Sequence, residues 1–158
     1  MIKQILQQLY IKLPEINDIT FHLTKNLACG FNKRVNKDGE IESRIIITND
    51  IEGLLKRDKE INPSYKYITR MMEENSIEVT DITYIEFIVL HEVAHRNDFI
   101  DMPLEEIKAI VNEGYGNYRK STIGMTNDEA EIVFRNIDYE KSADLFAIKS
   151  LQKIYNIV

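Results

Sequence analysis

The stretch Asp81-Ile-Thr-Tyr-Ile-Glu-Phe-Ile-Val-Leu90-His91-Glu92-Val93-Ala94-His95-Arg-Asn-Asp98 decides how the rest of the chain is read. Phe87-Ile-Val-Leu90 is apolar on every side, so a helix through it offers water no face and belongs at the centre of a fold. The pattern predicts a helix over about Ile82–Asp98, with Asp81 or Thr83 as its cap. Glu86 lies three residues after Thr83, the spacing of a capping box. Within this helix His91 and His95 stand one turn apart on one face. Two imidazoles so placed reach one tetrahedral zinc ion. Glu92, beside that face, can take a proton from metal-activated water and later deliver it to a leaving amine. This is the HExxH motif, here on a buried helix. The chain has three histidines, and two of them make the motif. Burying them with a glutamate and no metal would leave polar groups unsatisfied at considerable cost.

A catalytic zinc site needs a third protein ligand. The remaining histidine, His22, falls on the polar face of a predicted strand and reads as a surface residue. A carboxylate is therefore expected, and Glu140 is the choice. It opens Glu140-Lys-Ser-Ala143-Asp144-Leu-Phe-Ala147, in which Glu140 and Asp144 share a helix face. Asp144 can accept the Nδ1–H of a metal-bound histidine and so fix its tautomer. Ala143 and Ala147 leave room for a second helix to come close.

Working outward, Ile2, Ile5, Leu6 and Leu9 recur at helical spacing and predict an amphipathic helix ending near Leu13, before Pro14. The segment lacks the unbroken apolar run and cleavage site of a signal peptide. Ile19, Phe21 and Leu23 alternate with polar residues as in a half-buried strand. Asp38-Gly39 is a turn signal joining Cys29–Val35 to the β-branched run Ile45–Thr48. Three antiparallel strands are expected. Helices follow over Asp50–Glu60 and Ser64–Asn75, then from Pro103 to about Asn112. Gly114 and Gly116 predict a loop. A last helical stretch from Thr126 runs to Ile154, with a break near Asn136–Asp138. The fold class is α+β: a small, mainly antiparallel N-terminal sheet on a buried active-site helix, then a helical C-terminal half. With 158 residues and no linker or repeat, residues 1–158 read as a single domain.

The net charge is −6 and the sequence pI about 5.2, a balance that repels phosphate backbones and argues against nucleic acid as a partner. Lys33, Arg34 and Lys37 read as a solvated hairpin edge. No apolar run is long enough to span a membrane. Cys29 is the single cysteine, so no disulfide forms within the chain; it reads as an inert thiol and suits a reducing, cytoplasmic setting.

His91, Glu92, His95, Glu140 and Asp144 together resemble the gluzincins, the thermolysin-like zinc peptidases that pair HExxH with a downstream Glu-x-x-x-Asp. The run Glu140-x-x-Ala-Asp-x-x-Ala147 is also similar to small ImmA/IrrE-type peptidases and minigluzincins. The resemblance covers Ile82 to Leu151. It implies a zincin-like fold and a Zn²⁺-dependent metallopeptidase acting on a protein or peptide. It also implies an edge strand along the cleft to which an extended substrate adds by main-chain hydrogen bonds. Arg44–Thr48 is the candidate for that strand. Tyr115 and Tyr118, in the predicted Gly-rich loop, and Tyr139, beside Glu140, are candidate oxyanion donors. A metzincin-like reading puts the third ligand at Asp101, six positions after His95, with Met125 in a methionine turn, but it needs glycine where Asp98 stands. The other expectation is a zincin-fold protein that binds a partner without cleaving it, supported by Arg96 and Asn97 directly after the motif.

Overall fold

The computed structural model describes residues 1–157. Helix α1 (Ile2–Lys12) buries Ile2, Ile5, Leu6 and Leu9 along one stripe, and Pro14 begins a short 3₁₀ turn after it. Three strands follow: β1 (Phe21–Thr24), β2 (Gly30–Val35) and β3 (Ile41–Thr48). Gly39 takes φ +84° in the β2–β3 turn, where the Asn36 side chain accepts from the amides of Asp38 and Glu40. Such a turn requires the left-handed region that glycine enters freely.

The sheet order is β1-β3-β2. β2 pairs antiparallel with β3, Phe31 facing Ile45, but β1 pairs parallel with β3, Phe21 facing Ile45. The expected all-antiparallel sheet is thus a mixed one. Apolar and polar residues alternate identically in both pairings; the direction is set by the chain crossing from one side of β3 to the other before the hairpin. The strand expected at the cleft edge, Arg44–Thr48, is instead central: Ile45 and Ile47 are fully buried, and β1 and β2 form the edges.

Seven α-helices lie among the described residues. Asp50 caps α2 (Ile51–Ile61), and Asn62 caps α3 (Pro63–Glu74). The buried helix is α4 (Asp81–Phe99). Its cap is Thr80, not Asp81 or Thr83: each threonine of the Thr80–Thr83 pair receives the other's backbone amide. Thr83 therefore plays the reciprocal part expected of Glu86. Glu86 is buried instead and accepts from Tyr155 Oη at 2.7 Å.

Helix α5 (Leu104–Ser121) runs straight through Gly114 and Gly116, where a loop was expected. Each glycine costs a helix up to about 1 kcal/mol, but the apolar stripe Leu104, Ile107, Val111, Tyr115, Tyr118 continues across both. A turn over Thr122–Met125, with Gly124 at φ +83° and Ile123 exposed, leads to α6 (Asn127–Arg135). The chain breaks at Asn136–Ile137, as expected, before α7 (Asp138–Tyr155).

α4 is the hub. Tyr84, Ile85, Phe87, Val89, Leu90 and Val93 are almost wholly excluded from water. They pack on α7, where Ala143 and Ala147 are fully buried, and on β3. The small alanines let the two backbones approach, and that approach brings the first turns of α7 against the histidine face of α4. No helix among the described residues is long and apolar enough to cross a membrane.

Candidate metal centre

His91 and His95 project from the same face of α4 with their Nε2 atoms 3.0 Å apart. Glu140, in the first turn of α7, places Oε2 3.2 Å from His91 Nε2 and 3.7 Å from His95 Nε2. A tetrahedral ion with bonds of about 2.1 Å needs ligand atoms about 3.4 Å apart, and these separations bracket that value. The three side chains are only 10, 12 and 8% exposed. Their donor atoms form a His–His–Glu group that could hold a metal ion. His22, exposed on β1, and Asp101, exposed in the bend after α4, are not in it. Met125 sits in the α5–α6 turn, 43% exposed.

Asp144 lies one turn beyond Glu140, and its Oδ1 is 2.9 Å from His91 Nδ1. In its Nδ1–H tautomer His91 donates this bond to Asp144, and the Nε2 lone pair then faces the group. Burial works against a charge on His91, but hydrogen bonds to Asp144 and Glu140, with Glu92 and Asp144 nearby, outweigh it and raise its pKa to about 9. Burial likewise pushes the Glu140 carboxyl up, yet hydrogen bonds from His91 and His95 dominate and hold it at about 2. The pocket favours positive charge on its nitrogen side and negative charge on its oxygen side. His95 Nδ1 is buried without a partner.

Glu92 stands at the mouth, where its Oε2 accepts the Phe31 amide of β2 at 2.7 Å. Phe31 faces Ile45, and this amide points away from β3, so β2 presents a free edge to the site. The cavity beside the group has a volume of about 360 Å³, and Glu92, Arg57 and Arg135 share its wall with the three ligand candidates.

Three features escaped the sequence reading. Arg135, at the end of α6, is buried and donates to Asp144 Oδ1 at 3.0 Å and to Glu131 Oε1 at 2.8 Å. Its i, i+4 spacing from Glu131 was a visible signal, but its reach across the α6–α7 break to Asp144 was not. Asp58, buried in the wall of the cavity, accepts from Arg57, Asn62 and Tyr84. Lys33, read as solvated, donates to the carbonyls of Phe99, Ile100 and Met102 at 3.2, 2.6 and 2.7 Å. The ammonium thereby caps the C-terminus of α4 with the favourable sign for a helix dipole.

The three tyrosines separate. Tyr115, on α5, lines the cavity with His91, His95 and Glu140. Burial, then the charges of Glu140 and Glu92, raises its pKa and keeps the phenol a donor. Tyr139 packs edge-on to His95 and Phe99, and its Oη is buried with no partner. A Cβ at position 114 would stand 3.0 Å from the Tyr139 ring, which explains Gly114 within a helix. Tyr118 sits edge-on to Phe134 and lines a different cavity.

Arg96 pairs with Asp18 at 2.9 Å, and neither Arg96 nor Asn97 lines the cavity. Cys29 does line it, but burial first, then Glu92 and Asp58, push its thiol up to about 11 against a hydrogen bond from Thr48, which matches an inert thiol. Compared with known proteins, the chain matches no family model, no curated protein and no solved structure.

Proposed function

We propose that the chain is a cytoplasmic zinc-dependent peptidase of gluzincin type, in which His91, His95 and Glu140 hold the metal. The observation that carries this reading is the convergence of the three donor atoms beside the Glu92 carboxylate, which accepts the Phe31 amide on the outer edge of β2. Buried histidine pairs with a carboxylate suit zinc, and the separations fit its size. When bound, zinc polarises the scissile carbonyl and lowers the pKa of water to about 7.

The chain's own residues supply the rest. An extended peptide adds to β2 and takes the Phe31 amide as its hydrogen-bond donor. That displaces Glu92, whose freed carboxylate takes a proton from the attacking water as the new C–O bond forms. Glu92 then delivers the proton to the amine as the C–N bond breaks. Tyr115 donates to the developing oxyanion. Asp144 holds His91 in the tautomer that presents Nε2 to the metal.

The test is metal content and peptide hydrolysis on one set of proteins. About one zinc per chain is expected in the wild type, with loss in His91→Ala and Glu140→Ala. Glu92→Gln should keep its zinc and lose turnover by about 10³-fold or more, and Tyr115→Phe should keep zinc and lose about 10²-fold in kcat. Hydrolysis retained by Glu92→Gln sinks the mechanism. Zinc bound at full occupancy without hydrolysis would favour the partner-binding reading, whose sequence support, Arg96 and Asn97, stays clear of the cavity.

A further inference from the structure

A second cavity of about 360 Å³ adjoins the first, and the two share Phe31, His95, Tyr115 and Glu140. The metal group sits where they meet. Their walls differ. The first has Arg57, Asn62, Ser64 and Arg135 on its far side. The second is a groove bounded by Phe31, Phe99, Leu104, Ile107, Val111 and Tyr115. Its charged neighbours are already engaged: Lys33 on the three carbonyls at the end of α4, and Lys108 on Glu105 at 2.6 Å.

α5 makes the outer wall of this groove. It has eighteen residues, and none of its side chains is fully buried. Leu104, Ile107, Val111 and Tyr115 fall on one helical stripe, the pattern of a face that covers apolar surface. Here that stripe faces the groove.

The strand gives the cleft a direction. Gly30 lines the polar cavity, Phe31 lines both, and Asn32 and Lys33 line the groove. Moving along β2 from N- to C-terminus therefore leads from the polar cavity, past the metal group, into the groove. Antiparallel pairing is the stronger mode for an added strand. A peptide so paired runs the other way, with its N-terminal part in the groove.

Resting on the peptidase reading, we propose that α5 is the specificity element. The groove receives a bulky apolar side chain on the N-terminal side of the scissile bond, and the polar cavity receives the residue on the C-terminal side. The substrate class is an extended peptide cut after a large aliphatic or aromatic residue.

The experiment is digestion of a proteome-derived peptide library by the zinc-loaded full chain, with cleavage sites read by mass spectrometry. The wild type should cut after large apolar residues at least about tenfold more often than after alanine or glycine. Val111→Trp, which narrows the groove, should reverse that preference. Ile107→Ala, which widens it, should favour the largest aromatic residues. Cleavage without preference at this position, a preference confined to the C-terminal side, or a preference unmoved by both variants would overturn the inference and leave the peptidase reading standing. No cleavage of any peptide by a zinc-loaded chain would remove that reading, and this inference with it.

Discussion

His91 uses both ring nitrogens, Nδ1 on Asp144 and Nε2 towards His95 and Glu140, so its ring has one useful orientation. That orientation depends on a residue outside the motif. Asp144 Oδ1 accepts from His91 and from Arg135, while its Oδ2 is buried without a partner. Removing the guanidinium leaves Asp144 free to rotate and leaves Glu131 without its own partner. Arg135→Met should therefore weaken zinc binding by about 10- to 100-fold, measured by competition with a chelator, with partial recovery in Arg135→Lys. Equal affinity in Arg135→Met and the wild type would show that the carboxylate needs no such anchor. At this scale the sequence exposed the residues whose spacing is chemical: His91, Glu92, His95, Glu140 and Asp144 repeat at helix intervals. Arg135 was hidden because its contact crosses a helix break, and Phe31 because a backbone amide carries no residue signature.

Among the elements, β2 and α4 are joined at two points, the Phe31 amide on Glu92 and the Lys33 ammonium on the carbonyls after His95. Lys33 closes the C-terminal end of α4 and ties β2 to it. Lys33→Met keeps the aliphatic stem and loses three charge-assisted hydrogen bonds; it should destabilise the chain by about 1–3 kcal/mol in urea unfolding. An unchanged unfolding midpoint would show that water replaces those bonds at no cost. The helices were legible where an apolar stripe meets a stop signal, as in α1 before Pro14 and α6 before Asn136. α5 was cut short because Gly114 and Gly116 look like punctuation; Tyr139 and Ile137 lying against Gly114 explain the first of them. The sheet was legible as three strands but not in its order. Ile45 and Ile47 suit a buried strand in either position, and which strand lies at the edge follows from how the chain crosses β3, which the residue pattern does not record.

For the molecule as a whole, the proposed metal group joins the central helix, which carries His91 and His95, to the last one, which carries Glu140. Zinc that binds only the folded chain stabilises it by linkage, about 2.7 kcal/mol at a hundred times its Kd. For a chain of this size that corresponds to a rise of about 5–10 °C in Tm. Thermal unfolding with zinc and with excess chelator should show this difference, and His95→Ala should show none. A Tm indifferent to zinc in the wild type would mean that the group holds no ion.

The exposed turn over Thr122–Met125 lies between the histidines and Glu140. A single nick there by a protease would put two of the proposed ligands on one fragment and the third on the other. Nothing in the core need move, because the α4–α7 packing lies outside the cut. Yet what had been one molecule becomes a complex with a dissociation constant, and the covalent tether that kept Glu140 at an effective concentration of about millimolar is gone. A zinc ion held by the proposed group would then act as the clasp between the pieces. Diluting the nicked protein in chelator should release the C-terminal fragment at a concentration where zinc still holds it.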